Sequence, residues 1–143
     1  MLLPDAVLPM PLSLSQTQSL SPGALAYIGD AVYELYVRSV YLAPPRRIKT
    51  YHGQVVAQVK AESQAAHLQT LKPHLSDPEL EMIRRGRNAT TKRPKRVELE
   101  IYQQATSLET LIGYLYLTDP RRLIQLLGHL QLEPTITETE NGC

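Results

Sequence analysis

Tryptophan and phenylalanine are absent from this 143-residue chain, and its single cysteine is the last residue, Cys143. With no second cysteine, neither a disulfide framework nor a cysteine-rich metal site can be built within one chain, which fits a reducing, cytoplasmic setting. The four histidines, His52, His67, His74 and His129, lack zinc-type spacing, which argues against a structural zinc site. No Gly-rich phosphate loop is present, and no motif surrounds a Ser-His-Asp or Cys-His combination, so those chemistries rank low. Long apolar runs are also missing. Residues 1–14 are apolar but carry Pro4, Pro9, Pro11 and Asp5 with no basic residue, a poor signal peptide or membrane span.

What is present suits one compact core, since 43% of the residues are hydrophobic and 20% are charged. The net charge of +1 hides an uneven distribution. Residues 84–96 hold seven of the 15 basic residues and no acidic one, leaving eight basic against 14 acidic residues elsewhere, a net −6. A mildly acidic body with one dense basic segment has the form of a polyanion-binding patch, although a solvated loop has the same composition. The eight tyrosines could offer base-stacking platforms, but most lie on helical stripes and read as core or interface.

The chain reads as all-α, with no hairpin dipeptides and no strand pairs. Ser21-Pro22 sets an N-cap and first turn, and Leu25, Ile28, Val32, Leu35 and Ser39 then follow helical spacing as a buried stripe. Asp30, Glu34 and Arg38 fall on another face, and Pro44-Pro45 ends the element. A second long helix is expected over residues 51–71, closed by Pro73. Ser76 and Glu79 have capping-box spacing for a third, reaching about Arg85 with Gly86 as its stop and the basic segment following as a loop. A fourth spans residues 97–117 with Ile101, Ala105, Leu108, Ile112 and Leu115 as its stripe, and Asp119-Pro120 caps a last one to about Leu132.

Asp30 and Glu109 are two carboxylates on apolar helices that packing does not require. Taken alone, each also reads as a surface or helix-pairing residue. Gly29 and Gly113 remove side-chain bulk beside them, for close approach of an RNA backbone or for ordinary helix packing. Glu34 could support Asp30 from one turn away, but its spacing to Arg38 favours an intrahelical ion pair.

The run Leu25-Ala26-Tyr27-Ile28-Gly29-Asp30-Ala31-Val32-Tyr33-Glu34-Leu35 resembles the signature helix of the ribonuclease III family, where a glycine precedes a metal-binding aspartate. Ser107-Leu108-Glu109-Thr110-Leu111-Ile112-Gly113-Tyr114-Leu115-Tyr116-Leu117 resembles the family's late helix with its essential glutamate. Between them, Lys60-Ala61-Glu62-Ser63-Gln64-Ala65 and Arg84-Arg85-Gly86-Arg87-Asn88-Ala89 are similar to the family's dimeric, single-domain Mini branch, a likeness covering about residues 20–130.

That resemblance implies a homodimeric helical endonuclease domain over residues 21–132, between a flexible segment 1–20 and a flexible tail 133–143. It implies a Mg2+-dependent endoribonuclease that cuts double-stranded RNA to 5′-phosphate and 3′-hydroxyl ends, with precursors of large-subunit (23S) ribosomal RNA as substrate. A large-subunit ribosomal protein is a further partner consistent with this setting, and no membrane is involved. Asp30 and Glu109 become the catalytic, metal-binding carboxylates, and the short tail leaves no room for an appended double-stranded-RNA-binding domain. RNA contact then falls to Arg84, Arg85, Arg87, Asn88, Lys92 and Lys95, which meet phosphates and 2′-hydroxyls across the minor groove. The chain departs from the wider family at Ala26 and Thr106, where further carboxylates are usual, a reduction in keeping with the Mini branch. Two rivals follow: a catalytically inactive dimer of this fold that binds structured RNA in ribosome assembly, and a helical DNA-binding or scaffold protein.

Overall fold

The computed structural model of the chain describes residue 8 and residues 12–132, apart from 91 and 93. The tail 133–143 and most of the segment before residue 12 lie outside the described residues. Among the described residues there are seven α-helices and no strand: α1 (Leu14–Gln18), α2 (Pro22–Val40), α3 (Ile48–Val59), α4 (Ala61–Leu71), α5 (Asp77–Ala89), α6 (Leu99–Thr118) and α7 (Pro120–Leu127). The short α1 lies inside the segment 1–20 and carries its own capping box from Ser13 to Gln16.

The helix starts follow local chemistry. The Ser21 side chain accepts from the Ala24 N–H, satisfying one of the donors a helix leaves free, and Pro22 occupies the first turn. Ser76 and Glu79 form the expected capping box, and Asp119 accepts from the Arg122 N–H at the start of α7.

Three boundaries differ from the sequence expectation. The helix foreseen over residues 51–71 is two helices, because Lys60 is extended (φ −66°, ψ 156°) and turns the chain between α3 and α4. α5 does not stop at Gly86 but runs to Ala89, so Arg84, Arg85, Arg87 and Asn88 stand on a helix rather than in a loop. α7 ends at Leu127, five residues early, and Leu130 and Leu132 are buried beyond it.

The buried stripe of α2 is also rotated from the one expected. Leu25, Ala26, Gly29, Tyr33 and Val37 face inward, while Leu35 is 60% exposed and Ser39 is exposed. This helix is apolar on more than one side, so periodicity alone did not select its inner face.

α6 is the central post, and α2, α4 and α5 pack around it. Ala105, Leu108, Ile112 and Leu115 are buried as expected, with Leu111 beside them. Each leucine so buried contributes roughly 2 kcal/mol of transfer free energy. The buried hydroxyls of α6 are satisfied within the helix: Ser107 donates to the Gln103 carbonyl at 2.7 Å and Thr110 to the Thr106 carbonyl at 2.8 Å.

Candidate active site

Two reciprocal glycines set the crossing of α2 and α6. A Cβ on Gly29 would stand 1.8 Å from the Glu109 carbonyl oxygen, and one on Gly113 would stand 2.0 Å from the Leu25 carbonyl oxygen. Each helix therefore rests its backbone on the other, a separation that any side chain at either position prevents. The next residue after Gly29 is Asp30, and Glu109 is the residue on which Gly29 rests. The same contact that closes the crossing brings the two carboxylates into hydrogen-bonding reach of each other.

Asp30 is exposed and Glu109 half-buried, so one member of the pair faces solvent and the other is held against the protein. Glu109 is pushed up to about pKa 8, first by burial and then by the hydrogen bond and charge of Asp30. A hydrogen bond from Gln64 of α4 works in the opposite sense. Gln64 is 3% exposed, and its Nε2 donates to Glu109 Oε2 at 3.3 Å and to the Val59 carbonyl at 2.9 Å. Three helices thus converge on one carboxylate.

The pair opens on a cleft of about 470 Å³. Ala26 and Thr106, the positions where the wider family has carboxylates, line it beside Asp30 and Glu109. Thr90, Lys92 and Tyr102 complete the lining, Tyr102 from α6 itself one turn before Thr106. Of the residues expected to contact RNA, Lys92 is the one brought to the carboxylates. Thr90 is fixed by donating to the Gly86 carbonyl at 2.8 Å and by accepting from Gln103 at 3.0 Å through its own carbonyl. This clamp fixes the backbone at the end of α5.

The remaining basic candidates lie outside the cleft lining. Arg84 and Arg87 are exposed along α5, Arg84 paired with Glu81 and Arg87 with Glu100 at 3.2 Å. Asn88 and Lys95 are exposed, and Arg85 is half-buried with its guanidinium 4.0 Å from the Met82 sulfur. Glu34 pairs with Arg38 and not with Asp30, as its spacing favoured.

Sequence reasoning missed Tyr102 as a wall of the cleft and Gln64 as a partner of Glu109. Tyr102 looked like one more helical aromatic. Gln64 was visible as an amide inside the small and apolar series Ala57, Ala61, Ala65 and Leu68, an anomaly that could have flagged it. Among the described residues, no three His, Cys, Asp or Glu side chains cluster as a metal cage, so a cation here would have few protein ligands. No helix among them is long and apolar enough to cross a membrane.

Residues 23–120, which contain the glycine crossing and both carboxylates, match the ribonuclease III domain family, and the chain belongs to that family. Within it the relatives are Mini-ribonucleases 3. The Mini-ribonuclease 3 of Synechocystis sp. is 60% identical over 122 residues, 85% of each chain. That of Thermosynechococcus vestitus is 50% identical over 89% of this chain and 87% of its own. Among solved structures, protein FN1578 from Fusobacterium nucleatum superposes with a TM-score of 0.72 at 28% identity, covering 78% of this chain and 93% of that one.

Proposed function

We propose that this chain is a cytoplasmic, Mg2+-dependent endoribonuclease that cuts double-stranded RNA as a homodimer, with Asp30 and Glu109 as its catalytic, metal-binding carboxylates. The observation that carries this reading is the meeting of those two carboxylates at a cleft, across a crossing that two glycines close to backbone contact, in a chain related to Mini-ribonucleases 3.

The donor set fits the cation. Mg2+ takes hard oxygen ligands, keeps several waters and needs only one or two carboxylates besides substrate phosphate. Burial first, and then the neighbouring Asp30, push Glu109 up to about pKa 8, and a dication at the pair would favour its carboxylate form. When bound, Mg2+ supplies the positive charge that activates water and stabilises the leaving oxygen.

The chain's own residues do the rest. Glu109, the buried member, has its orientation set by α4 and α6, while Asp30 projects from the exposed side of α2 toward the RNA. Ala26 and Thr106 leave the site with two carboxylates, and the Thr106 hydroxyl can hydrogen-bond water in the cleft. Lys92 lines the same cleft, where its ammonium can neutralise a phosphate seated beside the carboxylates. Arg84, Arg85, Arg87, Asn88 and Lys95 extend the phosphate-contacting surface along α5 and the loop after it. In the reaction water adds to phosphorus, the P–O3′ bond breaks, and the ends are a 5′-phosphate and a 3′-hydroxyl. On the dimer, Tyr27 at 84% and Leu35 at 60% exposure give α2 an uncovered apolar face, which suits a self-complementary two-fold contact. The substrate proposed is a double-stranded stem of precursor 23S ribosomal RNA, with a large-subunit ribosomal protein as a partner that shapes it.

Incubation with end-labelled duplex RNA and Mg2+ tests this. Wild type cuts, whereas Asp30→Asn and Glu109→Gln do not, although both still bind the duplex in Ca2+. Wild-type cleavage by Asp30→Asn overturns the assignment, and uncut RNA with every protein points to an RNA-binding dimer without activity. Mapping ends on precursor ribosomal RNA and sedimentation of the free protein test the substrate and the dimer.

A further inference from the structure

Gln64 is a polar side chain in a place that packing would fill better with a leucine. It sits at 3% exposure in α4, between Leu68 and Leu71 on the helix face turned to α6. Burying an amide costs free energy unless its hydrogen bonds are replaced. Here only half of them are. Both N–H bonds of Nε2 are used, one on the Val59 carbonyl and one on Glu109, while Oε1 is buried without a partner.

The two acceptors settle which way the amide points. Rotated by half a turn, its oxygen would face the Val59 carbonyl and the Glu109 carboxylate, two acceptors against an acceptor. The Val59 carbonyl is available because the backbone turns at Lys60 and ends α3 there. The break between α3 and α4 therefore holds one end of the amide, and the other N–H is aimed at Glu109. An orphaned buried oxygen in a native fold calls for a reason, and the donor on the other side of the same amide supplies one.

We propose that Gln64 is a positioning residue of the active site, fixing the rotation of the Glu109 carboxylate for binding a divalent cation. This rests on the function proposed above, because it assumes that Glu109 is a metal ligand. Gln64 does not line the cleft. Its effect passes through Glu109, whose Oε2 accepts from the Gln64 amide.

The test compares full-length wild type, Gln64→Met, Gln64→Asn and Glu109→Gln. Gln64→Met keeps the length and apolar packing but removes the donor. Gln64→Asn keeps an amide that is too short to reach Glu109. Mn2+ affinity is read by calorimetry, kcat and KM on duplex RNA at fixed Mg2+, and thermal melting without metal. Loss of a group that orients a metal ligand typically weakens affinity or activity by about 10- to 100-fold. The expected result is that loss in Mn2+ affinity and in kcat for both Gln64 variants, with KM for RNA unchanged and excess Mg2+ restoring part of kcat. Melting temperatures stay near wild type. Mn2+ affinity within twofold of wild type in a folded Gln64 variant overturns this inference, and a lowered melting temperature with that affinity intact assigns Gln64 to structure alone. Should Gln64→Met not fold, Gln64→Asn decides. Wild type that neither binds Mn2+ nor cuts RNA overturns the proposed function itself, and this inference with it.

Discussion

α2 and α5 both pack on α6, and they do so by different rules. At the α2 crossing, what faces each glycine is a carbonyl of the other helix's backbone. At the α5 crossing, a Cβ on Gly86 would meet the Thr110 side chain at 2.6 Å and the Ser107 Cα at 3.0 Å. Backbone against backbone has no way to yield, whereas Gly86 lies in the last turn of α5 and meets a side chain first. The outer faces differ too. α2 presents apolar residues and Asp30, while α5 presents arginines paired with nearby glutamates. The comparison teaches that the carboxylate pair depends on an exact helix separation, and the basic surface depends on charge density that several positions share.

The largest effect is expected where nothing can yield. Gly29→Ala should abolish the native crossing, with a stability loss above about 4 kcal/mol or no cooperative unfolding transition at all, read by denaturant melts. A variant that melts within 1 kcal/mol of wild type would show that α2 and α6 can part without unfolding the domain.

Gly86→Ala should cost less, about 1–3 kcal/mol, because α5 can shift against Thr110. If it costs as much as Gly29→Ala, the two crossings follow one rule after all.

α5 is also held at its N-terminal end, where Arg122 donates to both oxygens of the buried Glu79 at 2.8 and 2.9 Å and to the His74 carbonyl. Arg122→Ala should destabilise by about 2 kcal/mol, since it leaves a buried carboxylate with only its capping bonds. The hydrogen bond from Arg122 holds the Glu79 carboxyl below the usual carboxylate range. A depressed folded pKa means that the stabilisation is complete above the unfolded pKa and disappears as pH falls through the folded value. The gap between wild type and variant should therefore narrow in acid, which melting curves at pH 3 and pH 7 would read.

Glu109 has the opposite sign. Its folded pKa, about 8, exceeds the unfolded value, so between the two the native state holds more protons than the unfolded one. Without metal, stability should fall by several degrees of melting temperature as pH rises from about 5 to 8. Glu109→Gln should flatten that slope, and Mg2+ should reduce it in wild type. A wild-type curve as flat as the variant's would mean that neither burial nor Asp30 raises Glu109 in the folded state.

The smallest effect is expected on α5's outer face. Arg84→Ala should leave the melting temperature unchanged, since exposed ion pairs contribute little. Its signature should instead be a salt dependence of duplex RNA binding shallower by about one unit of logarithmic slope, uniform across sequences. An unchanged slope would remove Arg84 from the RNA surface.

Much of this was legible beforehand, for local reasons. Ser21, Ser76 and Asp119 act on N–H groups three residues away, so the starts of α2, α5 and α7 could be read from neighbouring residues. The α6 stripe could be read because that helix is buried along most of its length. Lys60 was not legible as a break, being neither proline nor glycine, since its extended backbone serves the packing of α3 and α4 on different neighbours. Gly86 was misread as a stop because glycine marks both helix ends and close contacts, and only Thr110 on another helix decides between them. Leu35 was assigned to the core because α2 is apolar on two sides.

The sequence by itself determined where the helices begin, which segments carry acid and which carry base, and that Asp30 and Glu109 each follow the family's pattern. These depend on interactions within a few residues. Only the tertiary structure decided that the two carboxylates meet, that Lys92 shares their cleft, and that Gln64 holds Glu109. Those contacts join residues far apart in the chain, through a helix separation that exists only once the glycines of α2 and α6 have closed on each other's backbone.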